Sequence, residues 1–170
     1  MMELDAAIRG RRTHKVFAPE PVDRANLDEL IELARWAPSH NLTNPWRFRV
    51  LGPGALGRLK TAAGPDAAAK LDRAPTLVAV SQVIADDAVQ DAEDRDATAV
   101  AAYIVLLAAH GRGLAGYWRT PAVLREPEGR RALGIPDTER PLGLLHLGHA
   151  RHDQRTPDRA PAADVTIYLD

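Results

Sequence analysis

A long helical pattern in the second half of the chain constrains the fold more than any other feature of the sequence. The pattern runs from about Asp91 to His110, and between Val100 and Ala109 the residues are apolar on all sides of the helix. Such a helix has to be covered on all sides, so we expect it at the centre of the molecule or in a subunit interface. The chain has 170 residues, which predicts a single domain over residues 1–170 with a sizeable core.

Shorter patterns predict the elements around this helix. Apolar residues at helical spacing after Asp23, a capping residue, predict a helix to about Trp36. Phe48 and Val50 alternate with arginines, as in a half-buried strand that begins near Arg47. The other predicted helices cover Leu4 to Gly10, residues 53–73 with an interruption at Gly64-Pro65, and Glu126 to Leu133. The other predicted strands cover Thr76 to Ser81, the residues before Pro121, Leu142 to Leu147, and Val165 to Leu169.

Charge and cysteine content exclude several classes of protein. The net charge of −1 argues against a general nucleic-acid binder, and the absence of cysteine excludes disulfides and cysteine-ligated metals. The acidic stretch Asp86 to Asp96 is expected to be a solvated linker and the charged start of the long helix. The longest apolar run, Ala99 to Ala109, is shorter than the ~18 residues of a membrane span. Because Met1 to Asp5 also lack the order of a signal peptide, we expect a soluble, cytoplasmic protein that binds no membrane.

A basic segment, Arg11 to Phe17, follows the first predicted helix. Successive side chains of an extended segment alternate, so Arg11, Thr13 and Lys15 would share one face. Two cations that flank a hydroxyl suit a phosphate group. The alternative is a solvated basic segment without a ligand.

A polar loop, Ala37 to Trp46, joins a predicted helix to a predicted strand. Pro38 and Pro45 stiffen its two ends. The residues between them carry short hydroxyls and amides or an ionisable ring, namely Ser39, His40, Asn41, Thr43 and Asn44. Such groups can bind a ligand, or they can satisfy backbone groups in a helix end with ordinary turns. The adjacency of Ser39 and His40 does not predict a catalytic triad, whose members converge in space rather than in sequence.

The strand before Pro121 closes with Trp118, Arg119 and Thr120. A planar ligand with a polar edge can use all three side chains. The alternative is a structural strand end in which the arginine stacks on the tryptophan.

Two patterns that look functional predict no site. Gly111 to Gly116 reads G-x-G-x-x-G, but a dinucleotide site needs a strand before the glycines and a helix after them. Here the order is reversed, which predicts a helix end followed by close packing. His146, His149 and His152 recur every three residues, a spacing that does not bring the rings together on a strand, so we expect no metal site.

Three segments together resemble the FMN-dependent nitroreductase family, in particular its compact members. Arg11 to Phe17 is similar to the family's R-R-S-x-[RK]-x-[FY] opening, and Trp36 to Phe48 to its A-P-S/D-x-x-x-x-Q-P-W-x-F segment. Gly116 to Thr120 is similar to the G-x-W-R-S strand end, and Leu145 to Gly148 fits the family's L-x-L-G. The order and separations also match, and the resemblance spans nearly the whole chain.

The resemblance implies an α+β fold with a central, mainly antiparallel mixed sheet flanked by helices. It also implies an obligate homodimer with two FMN sites at its interface. The apolar helix around Val100 to Ala109 would then face the partner. The C-terminal strand, Val165 to Leu169, would be exchanged into the sheet of the other subunit.

For the phosphate end of FMN, the resemblance implies a basic cluster. Arg11, Arg12 and Thr13 would hold the phosphate and the ribityl chain, and Lys15 would lie near the pyrimidine edge of the ring. Many members carry a phosphate-binding arginine or lysine just after the L-x-L-G, which makes Arg151 the expected residue here. The alternatives are Arg155 and Arg159.

Two further groups would complete the flavin site. The residues expected to reach the cofactor of the opposite subunit are Ser39, His40 and Asn44. The residues expected to line the flavin of their own subunit are Trp118, Arg119 and Thr120. Two positions depart from the family pattern, since Asn44 stands where glutamine is usual and Thr13 where serine is usual, and both keep a hydrogen-bonding group.

The resemblance implies an FMN-dependent oxidoreductase that uses NAD(P)H to reduce nitroaromatic, quinone or related acceptors by ping-pong hydride transfer. Because the flavin ring itself accepts and returns the hydride, we assign no catalytic side chain. One alternative is a flavin protein of the same fold with different chemistry, such as dehalogenation or flavin breakdown. The other is a protein that sequesters flavin without turnover.

Overall fold

A computed structural model describes residues 2–169, which form a four-stranded sheet with helices on both faces. The helices are α1 (Leu4–Gly10), α2 (Arg24–Ala34), α3 (Pro53–Ala63), α4 (Pro65–Ala68), α5 (Ala88–Gly111) and α6 (Pro127–Ala132). The strands are β1 (Trp46–Val50), β2 (Thr76–Val83), β3 (Ala115–Arg119) and β4 (Glu139–Gly148). The predicted elements up to β4 are therefore confirmed, with shifts of a few residues at their ends.

The sheet has the order β1-β2-β4-β3, and all its strand pairs are antiparallel. The parallel component is one isolated bridge between Thr13 and Gly116 of β3. The register shifts between Val80 and Ser81, where β2 and β4 carry a bulge. The fold predicted from the resemblance is thus confirmed.

Helix α5 lies against one face of the sheet. Its cap is Asp87, whose side chain accepts a hydrogen bond from the backbone N–H of Gln90 at 2.9 Å. Its buried side packs with α2 and with the inward-facing side chains of β2 and β4. Val100 and Tyr103, on another side of the helix, remain 40% and 38% exposed in the single chain. The helix is therefore central, as predicted, but the single chain does not cover it completely.

Among the described residues, no helix has both the length and the apolar character needed to cross a membrane.

The opposite face of the sheet carries a second core. Helices α3 and α6 pack there against Leu77, Ala79 and Leu144. Between the last turn of α5 and β3, Gly113 has a φ of 77°, a conformation that favours glycine. At Gly116 a Cβ atom would lie 2.7 Å from Leu106 Cδ2, so the strand packs closely on α5. The glycines thus end a helix and allow close packing, as predicted.

The segment predicted as the last strand, Val165 to Leu169, forms no strand within the single chain, and its exchange into a partner's sheet stays a prediction. Residues Ala162–Val165 form a 3₁₀ turn, and residues 166–169 belong to no strand. Ile167, Tyr168 and Leu169 are 86–91% exposed. The apolar pattern is that of a strand, but within residues 2–169 the segment has no partner strand to supply a ladder of hydrogen bonds.

His146 of β4 is fully buried, and its ring centroid lies 5.8 Å from that of Tyr117. Within residues 2–169 neither ring nitrogen has a hydrogen-bond partner. Burial lowers the pKa of His146 to about 4, with smaller contributions from Arg119 and Arg73. His149 and His152 are exposed, so the three histidines do not form one cluster.

Replacing His146 with leucine should reduce the loss of stability in acid. The folded chain favours the neutral imidazole, so the unfolded chain binds more protons below about pH 6.5. Stability that is present above pH 6.5 is therefore lost as the pH falls towards the folded pKa of about 4. This shift corresponds to about 3 kcal/mol at the acid end of the interval.

Urea unfolding at about pH 7 and about pH 4.5 measures this difference for the wild type and the variant. His149→Leu is the control, because His149 is exposed. If the H146L variant loses as much stability between the two pH values as the wild type, the assignment to His146 is wrong.

Candidate functional site

The basic segment after α1 is anchored to the beginning of β3. Thr13 forms a bridge with Gly116, and the backbone N–H of His14 donates to the carbonyl of Gly116 at 3.1 Å. The side chains of Thr13 and Lys15 are exposed, whereas Arg11 and Arg12 are half-buried. The segment is therefore fixed in place while its cations stay accessible.

Arg11 and Arg12 line a cavity of about 640 Å³. The other lining residues are Ile8, Arg9, Tyr103, Thr156, Pro157 and Arg159. Arg12 donates to the carbonyl of Arg9 at 2.6 Å and to Thr156 Oγ1 at 3.1 Å. The guanidinium of Arg11 lies 5.9 Å from the centroid of the Tyr103 ring. Four arginines thus line one cavity, an arrangement suited to a phosphate group.

Two histidines beside this cavity contribute little charge at neutral pH. Burial lowers the pKa of His14, and His110 and Arg11 lower it further against the opposing effect of Asp153. Burial also lowers the pKa of His110, with contributions from Arg11 and Arg12. The positive charge of the cavity therefore comes from its arginines.

Arg151, the expected phosphate ligand of the C-terminal loop, does not line this cavity. It borders a different one, of about 380 Å³, together with Phe17 and Arg73. Arg159 lies with Arg11 and Arg12 instead. The structure therefore favours Arg159 over Arg151 for a ligand shared with the basic segment.

The polar loop between α2 and β1 has an unusual backbone. Asn41, Leu42 and Asn44 have φ angles of 53°, 54° and 48°, a region that side chains with a Cβ rarely adopt. The backbone N–H of Asn44 donates to Ser39 Oγ at 3.3 Å, and Asn44 Nδ2 donates to the carbonyl of Leu42 at 2.6 Å. In the single chain Ser39 and Asn44 thus use their side chains to hold the loop.

Side chains from the first two turns of α5 contact this loop. Thr43 Oγ1 donates to Asp94 Oδ1 at 2.5 Å, and Asp94 is only 4% exposed. His40 Nδ1 lies 3.1 Å from Glu93 Oε2. A backbone that is held in a sparsely populated conformation by such contacts is typical of functional loops.

Trp118 and Arg119 lie on opposite faces of the sheet. Trp118 packs in the core with α5, whereas Tyr117 packs in the core on the other face. The Arg119 guanidinium lies 5.9 Å from the Tyr117 ring centroid, and its Nη1 donates to the carbonyl of Lys70 at 3.0 Å. Within one chain the side chains of Trp118 and Arg119 therefore do not face a ligand on the same side of the sheet, and their assignment to the flavin stays a prediction.

Two of the three groups of predicted site residues, the polar loop and the basic segment, lie apart within one chain. The polar loop contacts α5 at Gln90, Glu93 and Asp94, whereas Arg11 contacts the same helix at Tyr103. At 1.5 Å per residue, Asp94 and Tyr103 are about 14 Å apart along the helix axis. One chain therefore provides two separate parts of a site.

Sequence reasoning missed three polar or aromatic residues that line the arginine cavity, namely Arg9, Tyr103 and Thr156, and it named Arg159 only as an alternative to Arg151. Arg9 lies on the last turn of α1, three residues before Arg12 in the chain, so its place near the basic segment could have been inferred from the sequence. Thr156 and Arg159 belong to a loop without periodicity, whose place follows only from tertiary contacts.

The chain is similar to known proteins in both sequence and structure. YfhC of Bacillus subtilis, whose name describes an NAD(P)H nitroreductase, is 29% identical over 175 residues, which cover 92% of this chain and 89% of YfhC. A nitroreductase-like family protein from Bacillus cereus has a TM-score of 0.89 at 21% identity, covering 100% of this chain and 97% of its own. A Desulfovibrio desulfuricans structure described as a nitroreductase in complex with FMN has a TM-score of 0.83 at 21% identity, covering 100% and 98%.

These structural similarities establish the fold, and the sequence establishes the family. The nitroreductase family matches residues 8–149, which is most of the chain and includes the basic segment, the polar loop and β3. The chain therefore belongs to the nitroreductase family.

Proposed function

We propose that the chain is an FMN-dependent oxidoreductase that uses NAD(P)H to reduce nitroaromatic, quinone or related acceptors. Membership of the nitroreductase family supports oxidoreductase chemistry. The name of YfhC includes NAD(P)H, and the Desulfovibrio relative was solved with FMN. The observation that carries the proposal for this chain is the cavity lined by Arg9, Arg11, Arg12 and Arg159.

The residues of the cavity fit the phosphate end of FMN. A phosphate carries up to two negative charges and accepts several hydrogen bonds, and guanidinium groups bind it with charge-assisted pairs. Arg12 is already positioned by its bonds to the Arg9 carbonyl and Thr156, so less conformational entropy would be lost when it binds an anion. We assign Arg11, Arg12 and Arg159 to the phosphate and Thr13 to the adjoining ribityl chain.

The rest of the site would hold the flavin ring. Lys15 is exposed, which leaves its ammonium free to approach the pyrimidine edge. Trp118 and Thr120 would line the ring, with Arg119 contributing through its backbone, because its side chain lies on the other face of the sheet. Bound FMN would supply the hydride chemistry, and the protein would bind the cofactor, orient it and leave one ring face open.

We propose further that the active form is a homodimer. Ser39, His40 and Asn44 are separated from the arginine cavity along α5, so they fit a site that is completed by a second copy of the chain. The exposed side of α5, with Val100 and Tyr103, and the exposed segment Val165 to Leu169 offer apolar surface for that contact. Because β1 is an edge strand, its outer backbone groups are available to pair with the segment from a partner.

Replacing Ile167 and Leu169 together with serine should weaken the dimer by more than about tenfold. The two side chains would share one face of the exchanged strand, and burying each contributes about 1.5–3 kcal/mol. Sedimentation equilibrium measures the dimer dissociation constant. Thr166→Ser lies on the opposite face and is the control, and equal dissociation constants for the I167S/L169S double variant and the wild type would refute strand exchange.

The purified protein should carry about one FMN per chain and should oxidise NAD(P)H faster when a nitroaromatic or quinone is added. The visible absorption spectrum before and after heat release of the ligand measures the flavin content. The rate of NAD(P)H oxidation with and without the acceptor measures turnover. Flavin without acceptor-dependent turnover would support flavin sequestration, and reductive release of halide would support dehalogenation. A protein that binds no added FMN would refute the proposed function.

Arg159→Ala should weaken FMN binding about as much as Arg11→Ala, by about 1.5–3 kcal/mol, which is the usual range for a hydrogen bond to a charged group. Arg151→Ala is the matched control, because it removes the same side chain from the same loop but from a different cavity. Fluorescence titration of the apoprotein with FMN measures both effects. A larger loss in R151A than in R159A would reverse the assignment.

A further inference from the structure

A second cationic cavity lies at the other end of β3, away from the basic segment. Its volume is about 200 Å³. It is lined by Gln82, Arg95, Thr120, Pro121, Leu124, Arg125, Arg140, Pro141 and Leu142. It shares no residue with the cavity that we assign to the FMN phosphate. We call this second cavity the Arg95 cleft.

The Arg95 cleft has an excess of positive charge. Arg140 is paired with a carboxylate, since its Nη1 donates to Asp91 Oδ2 at 2.8 Å. The other oxygen of that carboxylate accepts from Gln82 Nε2 at 2.8 Å. Arg95 and Arg125 are exposed, and unlike Arg140 their side chains form no ion pair or hydrogen bond with other groups of residues 2–169. Two of the three guanidinium groups are therefore available to an anion.

The uncharged walls of the cleft suit a flat apolar group. Pro121, Pro141 and Leu142 are half-buried, and Leu124 is 3% exposed. An apolar cavity of about 150 Å³ is large enough to bind benzene. The volume of the Arg95 cleft thus matches one aromatic ring with a small charged substituent.

The position of the cleft connects it with the proposed flavin site. Thr120 lines the cleft and directly follows Trp118 and Arg119 in the segment assigned to the flavin. Leu142 lines the cleft and also packs in the same core as Trp118. A molecule in the cleft would therefore lie next to the residues that hold the ring.

We propose that the Arg95 cleft binds the carboxylate of a one-ring aromatic acceptor, with Arg95 and Arg125 as the residues that recognise the anion. This inference rests on the proposed function, because it names the class of acceptor that the same enzyme prefers. The proposed activity supplies the electrons for this reaction. One NAD(P)H and one proton reduce the nitro group to a nitroso group, and water and NAD(P)⁺ are released. The carboxylate takes no part in that step and serves only for recognition.

Binding of benzoate to the purified protein tests the cleft without turnover. Isothermal titration calorimetry should show that benzoate binds at least tenfold more tightly than benzamide, its neutral analogue. The double variant R95Q/R125Q should lose at least tenfold in benzoate affinity, and R95K/R125K, which keeps the charge, should retain most of it. Arg24→Gln is the control for overall charge, because Arg24 lies on α2 and its side chain is 92% exposed.

Equal binding of benzoate and benzamide, or a double glutamine variant that binds benzoate like the wild type, would overturn the proposal. So would loss of benzoate binding when FMN is saturating, since the cleft would then belong to the cofactor. Benzoate binding with the expected pattern in a protein that binds no FMN would support the anion cleft and refute the proposed function. The two failures are thus distinguishable.

Turnover provides the second measurement. The ratio of kcat/KM for 4-nitrobenzoate to kcat/KM for its methyl ester should fall at least tenfold in R95Q/R125Q relative to the wild type. The fall should be mainly in the KM for the acid, because the arginines bind a group that does not react. An unchanged ratio, or a fall that lies only in kcat, would overturn the assignment.

Discussion

The packing of α5 against the sheet is the interaction on which the rest of the structure depends. Small residues, among them Ala101, Ala102 and Ala109, let the helix approach β2 and β4 closely and are fully buried. Burial of apolar surface contributes about 25 cal/mol per Å², so this contact is a major source of stability. Because α2, the polar loop and the basic segment all contact α5, its position also sets the positions of the functional groups.

Polar contacts of α5 refine this placement. Asp94 lies in a stretch expected to be solvated, yet it is buried, and its Oδ1 accepts from Thr43 and from Gln90 Nε2 at 3.0 Å. A buried carboxylate needs such donors, because an ion without partners is costly to remove from water. At the start of β4, burial opposes ionisation of Glu139, but hydrogen bonds from Arg49 and Ser81 outweigh it and lower the pKa of the carboxyl.

Elements with a strong local signal could be predicted from sequence. Asp23 caps its helix as expected, and the apolar spacing located α5 to within a few residues. The failures lie where tertiary contacts decide. Arg159 reaches the arginine cavity from a loop without periodicity. The side chains of Trp118 and Arg119 point to opposite faces of the sheet. The segment Val165 to Leu169 has the composition of a strand but no partner strand in its own chain. The hydrogen-bonding potential of Ser39 and Asn44 could be predicted from the sequence. The left-handed backbone conformation of Asn41, Leu42 and Asn44 could not.

The spacing of contacts along α5 has a thermodynamic consequence in the proposed dimer. If one subunit supplies the arginine cavity and the other supplies Ser39, His40 and Asn44, cofactor affinity and subunit affinity are linked quantities. A ligand that binds only the assembled form stabilises assembly by mass action. FMN would then hold the subunits together, and dilution of the protein would release both subunit and flavin. Occupancy of the site would depend on protein concentration as well as on flavin concentration.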